Sequence, residues 1–344
     1  MKSVLERLLR GEDLSEQEAG SLLGRLTDPD TSAVMSAGLL TALRAKGASP
    51  AEVRGLAAAM LAQAIPVQPA RAASAAAAVD IVGTGGDGSG SLNLSTGAAL
   101  LAAASGIPVI KHGNRSVSSR CGSADVLEAL GYELPSDPTV ASEDLERTGF
   151  SFLFAPHFHP AMKSLAAVRR DLGVRTVFNI LGPLTNPASP PFSVIGAFSA
   201  RTAALMADAL SGMPIRRAFV IHGENGWDEA TPIAPFTCHD VRPGTVSVSI
   251  RDAQEIGLPR CTEADLAGGD VADNAQAIRD AFSGQFGPHR DALVLGAALA
   301  LEVSGQVDDG RQGRARAEAA LDSGAAARLI DSLARRALPE RARG

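Results

Sequence analysis

The sequence predicts an α/β protein: a small helical N-terminal domain, then a larger α/β domain with a central, mainly parallel sheet flanked by helices. Three observations carry this. Residues 1–70 show helical spacing and caps with no strand pattern. Val79-Asp80-Ile81-Val82 is a short apolar run that suits a buried strand; it leads into Gly83-Thr84-Gly85-Gly86-Asp87 and then an Ala-rich stretch. Residues 193–196, 200–212 and 217–222 alternate strand, helix, strand, as parallel βαβ units do.

The 344 residues are 45% hydrophobic and 20% charged, a globular composition with length for one large domain or two. The net charge of −6, with no long basic block, argues against nucleic-acid binding. An anion site in such a chain must gather positive charge locally, and Lys111, Arg115, Arg169 and Arg170 are candidates. Residues 1–18 are charged and lack an apolar signal-peptide core. The Ala-rich runs are too weakly hydrophobic to span a bilayer. Cys121, Cys238 and Cys261 show neither metal-ligand spacing nor a disulfide framework. The expectation is a cytoplasmic enzyme with no membrane or nucleic-acid partner.

In the N-terminal domain, set at 1–70, Leu5, Leu8 and Leu9 fall at helical spacing. Ser15 and Glu18 form a capping box, and Ser49 caps a helix with Pro50 at its first position. About four helices follow. Residues 66–78 read as a Pro/Ala linker, and the second domain is set at 71–344. It opens on the strand at 79–82, then a helix over 97–105, a strand over 107–110 and a helix over 124–130. A helix over 143–148 precedes a buried strand over 150–154. Residues 168–172 are helical, and 178–187 read as a helix ended by Gly and Pro. Residues 236–260 resemble hairpin material, with Val246, Val248 and Ile250 alternating. A buried helix over 291–303 and a last helix over 314–335 complete the chain.

The chemistry gathers at strand ends. Glycine lets backbone N–H groups approach an anion with no Cβ in the way. Asn93, Ser95 and Thr96 stand where a helix begins, and helix N-termini favour phosphate. Lys111 ends the 107–110 strand, and ligands bind at strand ends in open α/β sheets. The turn is not a Walker A motif, because no Gly-Lys-Ser/Thr closes it, and it lacks dinucleotide spacing. One glycine-rich turn is often only a tight connection. Two such turns about 25 residues apart, the second densely polar, favour a phosphate cradle. Asp228-Glu229, just past the 217–222 strand, suits a hard cation. His157 and His159 stand i,i+2 without a third ligand nearby, which argues against a metal there.

Gly83-Thr84-Gly85-Gly86-Asp87, Asn93-Leu94-Ser95-Thr96, Lys111-His112-Gly113-Asn114-Arg115 and Gly122-Ser123-Ala124-Asp125 together resemble the anthranilate phosphoribosyltransferase family. Phe178-Asn179-Ile180-Leu181-Gly182-Pro183-Leu184-Thr185-Asn186-Pro187 and Asp228-Glu229 extend the resemblance over most of the chain. It implies transfer of a phosphoribosyl group from phosphoribosyl pyrophosphate (PRPP) to anthranilate, the second step of tryptophan biosynthesis from chorismate. It also implies the sites. Gly83, Gly86, Asp87, Ser91, Asn93, Leu94, Ser95, Thr96, Lys111, His112, Gly113, Asn114, Arg115, Ser116, Val117, Ser118, Ser119 and Ser123 would bind PRPP. Gly83, His112, Asn114 and Arg169 would meet anthranilate. Ser95 would ligate one Mg²⁺, and Asp228 with Glu229 a second. Lys111, Asn114 and the metal site would stabilise the transition state, with no general base assigned. A homodimer through the helical domain is implied too, with helices near 163–186 joining that domain.

Three positions depart from the family pattern: Cys121 stands for Ser, Leu92 for Phe and Gly296 for Asn. A pyrimidine nucleoside phosphorylase shares this architecture and is the rival reading. The sequence after Lys111 and the Asp228-Glu229 pair favour the pyrophosphate-dependent enzyme. A non-catalytic or nucleic-acid-binding paralogue predicts a basic surface and an eroded acidic pair, and the net charge of −6 and the intact motifs argue against it.

Overall fold

The computed structural model describes residues 1–115 and 120–334. Ser116, Val117, Ser118 and Ser119, expected in the PRPP site, lie outside them, as does the end of the last expected helix.

Four helices open the chain: α1 (Lys2–Leu9), α2 (Glu16–Leu26), α3 (Ala33–Lys46) and α4 (Pro50–Ala62). The expected capping box of Ser15 with Glu18 forms, and the expected cap Ser49 is itself half of a second box with Glu52. Each satisfies two N–H groups that the first helical turn leaves open. The Pro/Ala segment before the sheet is not all linker: α5 (Ala72–Ala77) forms within it. Alanine's high helix propensity explains this.

The α/β part alternates β1 (Val79–Gly83), α6 (Leu94–Ala104), β2 (Val109–Gly113), α7 (Ser123–Ala129), α8 (Pro138–Thr148) and β3 (Phe150–Phe154). Then come α9 (Ala155–Phe158), α10 (Lys163–Leu172), α11 (Phe178–Leu181), β4 (Phe192–Gly196), α12 (Ala200–Ser211) and β5 (Arg217–Gly223). After α11 the chain continues as a 3₁₀ turn over Gly182–Leu184 instead of stopping at Gly-Pro. A hairpin of β6 (Phe236–Arg242) and β7 (Thr245–Arg251) follows, and Val248 and Ile250 stay exposed on its edge strand. The chain ends with α13 (Val271–Phe282), α14 (Pro288–Val303), α15 (Gly310–Asp322) and α16 (Ala325–Ala334). The single last helix expected over 314–335 is therefore two. Gly324, at φ +73°, breaks it in a conformation that L side chains rarely adopt.

The sheet order is β3-β2-β1-β4-β5-β6-β7, parallel through β5 and antiparallel across the hairpin. Strand order reverses at β1, so the carboxyl ends of β1 and β4 flank a topological switch point, where open α/β sheets bind ligands. Gly83 pairs in register with Gly196 there.

Each sheet face has its own core. One is built from α6, α7, α13, α14, α15 and α16, with Phe150 and Phe152 fully buried against them. The other joins α2, α3 and α4 to α10, α11 and α12, through Leu23, Val53, Leu165, Phe178 and Met206. The segment at 163–186 thus packs with the N-terminal helices. No helix of the described residues is long and apolar enough to cross a membrane.

Candidate active site at the switch point

The 83–87 turn leaves β1 with Gly85 at φ +69° and Gly86 at φ +70°, conformations open to glycine. Asp228, 144 positions from Thr84, closes on this turn. Its Oδ2 accepts from the Gly85 N–H at 2.5 Å and from Thr84 Oγ1 at 3.3 Å. Its own N–H donates to Asp87 Oδ2 at 3.2 Å. Ser95, Asp228, Glu229 and Gly196 line one cavity of about 20 Å³. The three residues expected to hold metal therefore face a common space.

Burial, then the neighbouring Asp87 carboxylate, pushes Asp228 up from the ordinary carboxylate range. Burial, then Asp228, does the same to Glu229. Lys111 partly offsets this. Its side chain is 1% exposed, and its Nζ donates to the Ile81 carbonyl and to Ser95 Oγ at 3.2 Å. An all-oxygen donor set with surplus negative charge fits Mg²⁺.

The first turn of α6 carries two orphaned groups. Asn93 Nδ2 donates to the Cys121 carbonyl at 3.1 Å, but its Oδ1 and Thr96 Oγ1 are buried without partners. Ser91 follows Ser89, whose hydroxyl and N–H both donate to Asp87 Oδ1. The 88–92 loop is laced to the Gly268-Gly269-Asp270 segment, with Leu92 N–H donating to Leu266 O and Gly268 N–H to Gly90 O. Asp270 caps α13. Cys121 is buried, and burial pushes its thiol up, so it acts as a small neutral residue. Gly296 faces Ala98, and any side chain there would start 2.6 Å from the Ala98 Cβ.

The β2 end carries Lys111, His112 and Gly113 in extended backbone, and Asn114 follows. The His112 N–H donates to Asp80 Oδ1 at 3.3 Å, and its Nδ1 lies 3.1 Å from the Gly182 carbonyl. A carbonyl only accepts, so Nδ1 carries the proton and Nε2 is left as a buried acceptor without a partner. Burial, then His159, pushes the ring down to about 3, so His112 is neutral. Asp80 was not singled out from the sequence. It is a buried carboxyl pushed up to about 6 by burial, with Lys111 opposing, and its Oδ2 accepts from Asn186 Nδ2 at 2.9 Å. It ties the β2 end to the segment after α11.

The basic candidates diverge. Arg115 turns to the surface of α7, donating to both oxygens of Glu128 and to Asp125. Its charge is thus shared with two carboxylates. Arg170 is exposed beside Asp171. Arg169 is half-buried with its guanidinium 5.3 Å from the Phe178 ring centre, and burial lowers its pKa. Ser123 begins α7. His157 and His159 bond different carbonyls, of Pro135 and Thr185. Arg175, passed over in the sequence, lies 4.1 Å from the Phe198 ring centre, beside the 83–87 turn.

Two family models match the chain: a glycosyl transferase family helical bundle domain over residues 2–64 and an a/b domain over 75–327. The chain is 44% identical to an anthranilate phosphoribosyltransferase of Desulforudis audaxviator, over 97% of this chain and 95% of that one. Among solved structures, the enzyme of Thermus thermophilus matches with a TM-score of 0.88 and 42% identity, over 96% of this chain and 98% of that one. The Saccharomyces cerevisiae enzyme in complex with PRPP and Mg matches with a TM-score of 0.85 and 26% identity, covering 96% of each chain. The same yeast enzyme with 4-fluoroanthranilate matches at 0.82 and 25% identity, again over 96% of each.

Proposed function

The chain belongs to the anthranilate phosphoribosyltransferase family, and from that premise we infer the roles of its own residues. The reaction joins the amine of anthranilate to C1 of the ribose 5-phosphate unit of PRPP and releases pyrophosphate, in tryptophan biosynthesis. The C1–N bond forms as the C1–O bond to pyrophosphate breaks, with the electron pair leaving on the pyrophosphate oxygen and one proton of the attacking amine released to solvent. Carbon 1 passes through oxocarbenium character, as in glycoside cleavage.

The observation that carries the residue roles is the closure of Asp228 on the 83–87 turn beside Ser95. It puts an acidic cation site against a glycine-rich anion site. The N–H groups of Gly86 and Asp87, beyond the Thr84 and Gly85 N–H groups that Gly196 and Asp228 take, and the start of α6 (Asn93, Leu94, Ser95, Thr96) bind phosphate oxygens. Ser91, Gly113, Asn114 and Ser123 line the same substrate, and Lys111 supplies buried positive charge. Arg115, bonded to Asp125 and Glu128 on α7, stands beside the same substrate. Asp228 and Glu229 hold one Mg²⁺ and Ser95 a second, so each chain takes two. Bound Mg²⁺ supplies positive charge for the leaving polyanion.

Arg169 takes the anthranilate carboxylate, which its planar fork matches. His112, Asn114 and Gly83 line the approach. His112 is neutral, and the aromatic amine has a lone pair without deprotonation, so orientation and charge stabilisation carry the rate. The division into a helical domain at 1–70 and a catalytic domain at 71–344 belongs to the same proposal. So does a cytoplasmic homodimer through the helical domain, supported by exposed Leu9 and Val34 on α1 and α3. Light scattering tests it: a dimer mass is expected, and a monomer at every concentration refutes it.

The activity is tested by the loss of anthranilate fluorescence with PRPP and Mg²⁺, beside thymidine or uridine with phosphate. Consumption of anthranilate alone is expected. Phosphorolysis without anthranilate consumption would assign the fold to nucleoside cleavage.

A further inference from the structure

Arg169 and Arg175 are both half-buried, and each lies over a phenylalanine ring. Neither pairs with a carboxylate among the described residues. Other arginines withdrawn from solvent have polar partners: Arg217 pairs with Asp240, Arg251 with Glu302 and Arg290 with Asp322, while Arg279 and Arg316 donate to backbone carbonyls. A guanidinium that has lost water without gaining a counter-charge is costly, unless an anion arrives. Arg169 has its anion in anthranilate. Arg175 has none.

Its position selects one. The Phe198 N–H donates to Thr84 Oγ1 at 3.1 Å, so the ring under Arg175 is tied to the 83–87 turn. Arg175 Nη2 and Nε lie 3.4 and 3.5 Å from where a Cβ on Gly86 would stand. The guanidinium thus covers the open side of the turn that also grips Asp228. The anion beside that turn is the one whose Mg²⁺ Asp228 and Glu229 would hold. Arg175 comes from the segment between α10 and α11, which packs with the N-terminal helices, so it reaches from that layer to the sheet.

We propose that Arg175 is a substrate-binding residue whose guanidinium clamps the diphosphate of PRPP, and then pyrophosphate, against the 83–87 turn. The inference rests on the functional reading above. The planar fork matches two phosphate oxygens, and the stack on Phe198 holds it ready.

The test uses the full chain with Arg175→Ala, Arg175→Gln and Arg175→Lys. Binding of inorganic pyrophosphate with Mg²⁺ is read by calorimetry, and KM is read for both substrates. Arg175→Ala should weaken pyrophosphate binding and raise the KM for PRPP by about 10–100-fold, the worth of one charge-assisted contact. The KM for anthranilate should stay within about twofold. Arg175→Lys should recover part, since it keeps the charge and loses the fork. Arg175→Gln keeps a planar group on Phe198 and is read in place of Arg175→Ala if that variant melts early. Unchanged pyrophosphate binding in a folded variant overturns the proposal, as does a loss confined to anthranilate. A parent that neither binds pyrophosphate nor consumes anthranilate overturns the functional reading and this inference with it. A parent that does both, beside variants that match it, overturns this inference alone.

Discussion

Gly196 is the position where one methyl group should do most damage. It ends β4 opposite Gly83, and the Asp228 backbone passes directly over it. A Cβ there would stand 1.5 Å from the Asp228 carbonyl oxygen and 2.6 Å from its carbon. Neither atom is the end of a flexible side chain, so the 227–229 segment must retreat by about 2 Å to reach ordinary contact. A working site tolerates about 0.5 Å, and a 1 Å misplacement costs on the order of 100-fold. Gly196→Ala should therefore lower kcat/KM by about 100-fold or more. Overpacking should cost a further ~1–3 kcal/mol of stability. Two comparisons separate displacement from general damage. At Gly83 a Cβ would meet the Asp228 carboxylate end at 2.6 Å, which can rotate without moving the backbone, so Gly83→Ala should lose less melting temperature than Gly196→Ala while still disturbing the Mg²⁺ dependence. At Gly85 nothing lies within 4 Å, so Gly85→Ala pays only for its positive φ, about 1–2 kcal/mol, with Mg²⁺ dependence close to the parent's. The assay is initial rate against Mg²⁺ concentration, with melting temperature alongside. Gly196→Ala with the parent's Mg²⁺ dependence and kcat/KM would refute the geometric reasoning.

Three further outcomes follow from the buried groups. His112 is pushed from its ordinary range to about 3, so its contribution to stability is full above about pH 6.5 and is lost as pH falls toward 3. The loss reaches about 3 kcal/mol by pH 4, and His112→Gln should show a shallower acid limb in melting temperature; parallel curves would refute it. Asp80 has the opposite sign: raised to about 6, it favours folding below its unfolded value near 4 and loses that as pH rises through 6. Asp80→Asn should remove that slope from the same melting curves, and an unchanged slope would count against it. Arg169→Ala should raise the KM for anthranilate by about 10–100-fold with the KM for PRPP held, and Arg169→Lys should recover little. Equal effects on both substrates would place Arg169 elsewhere.

Much of the site was legible because its signals are local. A β-branched run, a glycine turn, a polar helix start and a lysine at a strand end lie within about 30 residues of chain. The capping box at Ser15 and the cap at Ser49 are legible for the same reason. What the sequence hid depends on contacts across the chain. Asp80 reads as one polar residue in an apolar strand, and only Asn186 and the His112 N–H reveal its role. Arg175 reads as one more arginine after a glycine until Phe198 and Gly86 close around it. Arg115 reads as phosphate charge, and only the fold shows that it also pairs with Glu128 and Asp125. The break at Gly324 was missed because the Ala/Arg pattern continues on both sides, and one glycine in a helical pattern is often tolerated.

Catalysis depends most directly on the pairing of the Asp228-Glu229 cation site with the 83–87 turn. The measurement is anthranilate fluorescence decay with PRPP across a Mg²⁺ titration, for the parent and an Asp228→Asn/Glu229→Gln double variant. The prediction is Mg²⁺-dependent decay in the parent and little decay in the folded variant at any Mg²⁺ concentration. Equal decay in both, or decay in the parent that ignores Mg²⁺, would contradict it.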